Sequence, residues 1–338
     1  MATAQSALRI AIGQMDCRLG DLEANLATVG RMCGEAADQG AQLIVFPELA
    51  LSGYAIGPGF AETSLHPTSP EVETLKSLSR RIAIALGFIE ETEDAEFFNS
   101  AVFLEDGHIR HVHRKVYLPN YRIFGERRYF GAGQGMWAFD TPWCRMAILI
   151  CGDMWHLGMP YLAAHDGADI LLVMAASSTE GLTPAISVRD AWERMNQSCA
   201  LTLSNFIVFS NRVGTERPPD CGTTLAFWGG SHICAPCGRM LKQAAIGESE
   251  VLIADLDLTE LRRQRLILPF RRDDSLSFTL DVGRKIIRAK SRRRDGFYSI
   301  TSARSTMDLN GRDEGSIQEQ PPSPGGFPSR CLAVPQLL

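Results

Sequence analysis

The sequence predicts a layered α/β fold in which parallel and antiparallel strands share the same sheets. Three observations predict it. Over about the first 260 of 338 residues, short apolar runs alternate with amphipathic, helix-like stretches. Some runs, such as Arg145–Ile150 and Ile170–Met174, are apolar nearly throughout, the pattern of strands buried on both faces. Glu105-Asp106-Gly107-His108 has the chemistry of a tight hairpin turn, which requires antiparallel neighbours.

In chain order, Leu8–Gln14 reads as a strand. Asp21–Gln39 reads as a helix with apolar residues at Leu22, Leu26, Val29 and Cys33 and a glycine stop at Gly40. Gln42–Phe46 is a buried strand, Pro70–Arg81 a helix, and Ile82–Glu90 and Asn99–Glu105 are strands; the hairpin turn then leads into Ile109–His113. After Arg145–Ile150 come a short helix over Met159–His165 and the strand Ile170–Met174. Val188–Leu203 is a long helix. Phe206–Ser210, Thr224–Phe227, His232–Ala235 and Val251–Asp255 complete the strands. No internal repeat is visible.

Composition narrows the function classes. The chain is 45% apolar and 22% charged, as globular proteins are. Thirty-nine acidic residues against thirty-four basic give a net charge of −5, which argues against a general nucleic-acid binder. The longest apolar run is strand-sized, so no membrane partner is expected. The amino terminus lacks the charged and apolar regions of an export signal, and the nine irregularly spaced cysteines read as reduced thiols. Both point to a cytoplasmic protein. Near Arg284 the composition shifts: RKIIRAKSRRR carries seven basic residues and Thr301–Leu338 is rich in Ser, Pro, Gly and Gln. The expectation is one domain over residues 1–283 and a basic, then disordered, tail over 284–338.

Three polar residues stand at or near the ends of predicted strands, where loops aim side chains into a crevice. Glu48 follows QLIVF-Pro47, Lys115 follows HIRHVHR, and Cys151 follows RMAILI. Each alone has an ordinary explanation as a cap, a solvated charge or a core thiol. Together they form a pattern. Phe46-Pro47-Glu48-Leu49-Ala50-Leu51-Ser52-Gly53-Tyr54, His113-Arg114-Lys115-Val116-Tyr117-Leu118-Pro119 and Leu149-Ile150-Cys151-Gly152-Asp153 resemble, in order and spacing, the three signatures of the nitrilase (carbon–nitrogen hydrolase) superfamily. Asn211-Arg212-Val213-Gly214 and Ser231–Gly238 agree with it too, and the likeness spans Leu8 to Asp273.

That resemblance implies a four-layer α-β-β-α sandwich, and pairing into a homodimer or higher homo-oligomer. It also implies cleavage of a non-peptide C–N bond in a small amide or carbamoyl substrate through a thioester-type intermediate, without cofactor or metal. By resemblance Cys151 is the nucleophile and Glu48 the general acid/base. Lys115 lowers the thiol pKa and donates to the oxyanion, with the Gly152 N–H as second donor. The second glutamate of the family fits Glu126, eleven residues after Lys115, in Phe124-Gly125-Glu126-Arg127-Arg128-Tyr129-Phe130.

Gly152-Asp153 favours the amidase-like branches over those acting on nitriles, although Gly152 replaces a larger family residue. KVYLPNYRIFGERRYF looks most like the glutaminase domain of glutamine-dependent NAD synthetases. No synthetase segment follows the core, so a free-standing amidase is expected. The alternatives are a nitrilase proper or a non-catalytic family member that binds partners. Tyr54, Tyr121, Phe124, Trp155 and Ser177 are candidate substrate contacts, while Trp192 and Arg194 are expected to be structural. Cys234-Ala-Pro-Cys237 is a single C-x-x-C without partners for a tetrahedral metal site. The alternating His108, His111 and His113 read as an exposed or partly exposed strand face.

Overall fold

Strand parity dictates the layers. In the computed structural model, which describes residues 6–179, 187–219 and 223–303 (of 291–303 the backbone alone), β1 (Ala7–Gln14) sends Leu8, Ile10 and Ile12 into one core and Ala11 into another. β2 (Leu43–Val45) does the same, with Leu43 and Val45 on one side and Ile44 on the other. A strand buried on both faces must be apolar at every position, which is the pattern in the sequence.

The first sheet continues through β3 (Ala83–Glu91), β4 (Phe97–Glu105) and β5 (His108–Arg114), and β14 (Glu250–Asp257) closes its other edge, giving the order β14-β1-β2-β3-β4-β5. Its centre, β1-β2-β3, is parallel, and its flanks are antiparallel. The β4–β5 turn has positive φ at Asp106 (49°) and Gly107 (77°), as a two-residue hairpin requires. The second sheet has the order β13-β12-β9-β8-β7-β6. Its strands are β6 (Phe139–Asp140), β7 (Arg145–Ile150), β8 (Ile170–Ala175), β9 (Phe206–Asn211), β12 (His232–Cys234) and β13 (Met240–Gln243), with β7-β8-β9 parallel. β10 (Val213–Glu216) and β11 (Leu225–Trp228) form a separate antiparallel pair.

Between the sheets lies one core, joining Ile10, Ile12 and Val45 to Met146, Ile148 and Ile150. On the outer face of the first sheet, α1 (Leu22–Asp38) and α2 (Pro70–Leu78) bury Val29, Met32, Cys33, Val72 and Leu75. α1 starts where the sequence says it should, because the Asp21 carboxylate accepts the Ala24 N–H at its first turn. The second sheet is covered by α3 (Gly152–Trp155), α4 (Gly158–His165) and α5 (Val188–Leu203), which add Met154, Met159, Ala163 and Trp192 to a third core. The result is the expected four-layer α-β-β-α sandwich.

After β14 the chain forms α6 (Thr259–Ile267) and α7 (Phe270–Asp273). A second unit begins at Ser277, carried by α8 (Leu276–Ala303). This helix runs through Arg284 and the whole basic run. Arg, Lys and Ala are good helix formers, so a polar composition did not exclude a helix there. The remainder of the Ser/Pro/Gly-rich stretch, 304–338, lies outside the described residues. No helix of the described residues is long and apolar enough to cross a membrane.

Candidate active site

Glu48, Lys115, Glu126 and Cys151 come together where β2, β5, β7 and β8 end. Lys115 directly follows β5, and its N–H donates to the Asn99 carbonyl (2.9 Å). Its side chain is fully buried, with Nζ 2.6 Å from Glu48 Oε1 and 2.7 Å from Glu126 Oε1. Both carboxylates are buried as well. An ammonium has three N–H groups, so this arrangement leaves one uncommitted.

Glu48 is over-determined by its neighbours. Oε1 also accepts from Asn99 Nδ2 (2.8 Å), and Oε2 accepts from the Ala176 N–H (2.9 Å) just beyond β8. The turn that carries Glu48 has Leu49 at φ 48° and lies directly on β3 at Gly87. A Cβ at Gly87 would sit 2.6 Å from both Leu49 N and Pro47 O and 2.7 Å from Glu48 Cα. Only glycine lets the turn come that close. Gly87→Ala is expected to destabilise the fold by about 1–3 kcal/mol and to lower activity about 100-fold, since a misplacement of roughly 1 Å costs that much. Thermal melts and ammonia release from the same preparation check this.

Cys151 sits at the sharp turn between β7 and α3, with φ 40° and ψ −93°. A non-glycine residue rarely adopts positive φ, and such backbone clusters at functional positions. Its N–H donates to the Met174 carbonyl (2.8 Å), and its thiol lies within electrostatic reach of Glu48, Lys115 and Glu126. Next to it, a Cβ at Gly152 would lie 2.5 Å from the Tyr117 carbonyl. The loop after Lys115 occupies the space a larger residue would need, which accounts for the glycine.

Asp153 joins the nucleophile turn to the lysine segment. Oδ1 accepts from the N–H groups of Val116 and Tyr117 (3.0 Å each), and Oδ2 accepts from the Ile150 N–H (3.1 Å) and pairs with His113 Nε2 (2.8 Å). The expectation of an exposed histidine face therefore fails at His113, which is buried in this pair. His111 stacks on Phe139, and burial pushes its pKa down to about 4; only His108 is fully exposed. These contacts span dozens of residues and leave no local signal in the sequence.

Several charges act on the sulfur at once. Lys115 does pull the Cys151 thiol down, but burial and the Glu48 and Glu126 carboxylates outweigh it, and the thiol pKa stands well above its ordinary value. Two carboxylates face one ammonium, so a third anion is unfavourable. The resting sulfur is a thiol. Burial and Glu48 likewise push Glu126 up, to about 7, while Lys115 opposes them. Without substrate, a small thiol reagent such as methyl methanethiosulfonate is expected to modify exposed Cys237 before Cys151 at neutral pH, with Cys151 accelerating as pH rises. Time-resolved peptide mass mapping checks it, and Cys151 reacting first at pH 7 contradicts it. The seven described cysteines are all unpaired thiols.

Cys151 opens on a cavity of about 330 Å³ whose walls include Tyr121, Phe124, Trp155, Trp192 and Ser177. The Ser177 hydroxyl accepts from Trp192 Nε1 (2.9 Å), and Trp155 packs edge-on against Trp192. Trp192 is thus both packed and at the site, whereas Arg194 is exposed on α5. Tyr54 is placed differently from expectation. It lines an adjoining cavity of about 250 Å³ and donates its hydroxyl to Glu126 Oε1 (2.7 Å). Sequence reasoning did not find what holds Tyr54. Glu216, paired with fully buried Arg212, accepts from the N–H groups of Tyr54 and Ala55.

Residues 9–266 match the Carbon-nitrogen hydrolase family. The chain belongs to that family. Among relatives of this carbon–nitrogen hydrolase chain, a glutamine-dependent NAD(+) synthetase of Thermotoga maritima is 30% identical over 268 residues, covering 78% of the chain but 45% of the synthetase. The chain thus spans about half the length of the synthetases it matches. An N-carbamoylputrescine amidase of Solanum lycopersicum is 28% identical, with 78% of the chain and 91% of the amidase covered. In fold, the chain is similar to a carbon-nitrogen hydrolase from Helicobacter pylori, with a TM-score of 0.76 at 24% identity, covering 83% and 99% of the two chains.

Proposed function

We propose that the chain is a cysteine-dependent hydrolase that cleaves a non-peptide C–N bond of a small amide or carbamoyl compound and releases ammonia or an amine. One observation carries the reading: a fully buried Lys115 ammonium held between Glu48 and Glu126, with the Cys151 thiol beside them in the wall of a cavity.

The resting thiol decides the first step. As Sγ attacks the carbonyl carbon, its proton passes to Glu48, so one carboxylate charge disappears as the sulfur's appears. No third anion accumulates beside the two carboxylates. The uncommitted Nζ–H of Lys115 and the Gly152 N–H receive the oxyanion of the tetrahedral intermediate, donors of a kind worth about 10²–10³ in rate each. Glu48 returns the proton to the leaving nitrogen as the C–N bond breaks, leaving a thioester on Cys151. It then takes a proton from water, whose oxygen attacks the thioester and frees the acid and the thiol. Glu126, fixed by Tyr54, keeps Lys115 aimed.

Relatives whose names specify amide or carbamoyl chemistry support this class, as does Gly152-Asp153 after the nucleophile. The test is ammonia release by the full chain from a panel of aliphatic amides, N-carbamoyl compounds and nitriles. Turnover of amides or carbamoyl compounds is expected. Turnover of nitriles alone would make it a nitrilase.

A further inference from the structure

The cavity above Cys151 carries a charge that the reaction itself does not use. Arg127 is one of its walls. It follows Glu126 in a single 3₁₀ turn (Glu126–Arg128), so the residue that braces Lys115 and the one at the cavity wall are fixed to each other by the backbone. Its Nε donates to the Leu118 carbonyl (3.3 Å), which orients the guanidinium plane. Among the described residues Arg127 has no acidic partner, and no aspartate or glutamate lines this cavity. The other basic side chain there, His156, is already engaged, its Nδ1 2.8 Å from the Gly152 carbonyl and its ring stacked on Tyr117. Much of the rest of the wall is aromatic, with Tyr121, Phe124, Trp155 and Trp192.

A cavity lined by a candidate nucleophile, several aromatic side chains and a guanidinium without an acidic partner suits one kind of molecule. It has a neutral amide end, a short apolar spacer and an anionic far end. The Nη groups of arginine present parallel N–H bonds that fit a carboxylate in bidentate fashion. An ammonium at that end would meet a like charge and find no carboxylate.

Resting on the hydrolase reading above, we propose that Arg127 is a specificity-determining residue, and that the substrate is a linear amide or carbamoyl compound ending in a carboxylate. The test uses three amides with the same three-methylene spacer: 4-carbamoylbutanoate, pentanamide and 4-aminobutanamide. The wild-type chain is expected to favour them in that order in kcat/KM, with the carboxylate at least about 10-fold ahead of the neutral amide. In Arg127→Gln the carboxylate-over-neutral ratio falls toward one, mainly through KM, and Arg127→Lys recovers part of it. Because a ratio within one variant is read, a general loss of fold or activity cancels.

An unchanged ratio in Arg127→Gln, or a wild-type chain that prefers pentanamide or 4-aminobutanamide, overturns the assignment. Calorimetric binding of 4-carbamoylbutanoate and pentanamide to Cys151→Ala protein, with and without Arg127→Gln, reads the same preference without turnover. Binding that depends on Arg127, in a wild-type chain that hydrolyses nothing in the amide, carbamoyl and nitrile panel, would refute the hydrolase reading and keep Arg127 as the carboxylate-binding residue of this cavity. Equal binding with normal hydrolysis would do the reverse.

Discussion

Cys151→Ala is expected to lower ammonia release by about 10⁴–10⁶-fold, the scale on which a covalent nucleophile is missed, while the melting temperature stays within a few degrees. The two halves of that expectation have separate causes. Activity falls because no other described thiol shares the Glu48–Lys115 environment: Cys17, Cys33, Cys199 and Cys234 are buried core thiols elsewhere, Cys144 is partly buried against the core just before β7, and Cys237 is exposed on a turn. Stability holds because the removed sulfur carries no charge at rest, and its loss leaves Glu48 with its bonds to Lys115, Asn99 and Ala176. Alanine also fits the positive φ no worse than cysteine does. Parallel assays of ammonia and thermal melts decide it; activity surviving at even a tenth of wild type is incompatible with the mechanism.

Lys115→Met has the opposite balance, because it damages fold and chemistry together. Methionine keeps most of the volume but removes the cation between two buried carboxylates. Breaking one partner out of a buried ion pair costs about 3–5 kcal/mol, and here two anions lose the same partner. The pH dependence follows from sign. In the wild-type chain Lys115 has a raised pKa, so its contribution is complete below the ordinary lysine value and fades only as pH rises above it. Glu126, raised to about 7, favours its protonated form when folded; it therefore withdraws stability as pH rises from its ordinary value through about 7. Without the lysine, whose charge opposes the rise, Glu126 is pushed further up. The deficit of Lys115→Met should be greatest at pH 8 and shrink toward pH 5. A deficit independent of pH would mean that the ion cluster contributes little.

How much of this was legible in the sequence depends on the range of the contacts. The strand Arg145–Ile150 and the helix Val188–Leu203 fall on the residues the apolar pattern marks, since burial on both faces and a capped amphipathic stretch are local properties. Phe139–Asp140, Val213–Glu216 and Met240–Gln243 did not, because these short strands are partly exposed and carry no apolar run, unlike the equally short but largely buried Leu43–Val45 and His232–Cys234. The four site residues were visible through their motifs. What holds them was not. Asn99 and Gly87 act on Glu48 across the first sheet, Asp153 and His113 clasp two loops, and Arg212 with Glu216 steadies Tyr54 from far along the chain. The balance of charges at the thiol was hidden for a related reason. Motif order shows that a lysine comes near a cysteine, but not that burial and two carboxylates come with it.

The claim at the centre is that Cys151 Sγ carries the acyl group. Intact-protein mass spectrometry of wild-type chain quenched in acid during turnover of a substrate found by the amide and carbamoyl panel measures it directly. The account predicts a mass increase equal to the acyl part of that substrate, mapped to the peptide containing Cys151, discharged by hydroxylamine and missing from Cys151→Ala. Turnover without any adduct on that peptide under single-turnover conditions, or an adduct that persists in Cys151→Ala, would contradict it.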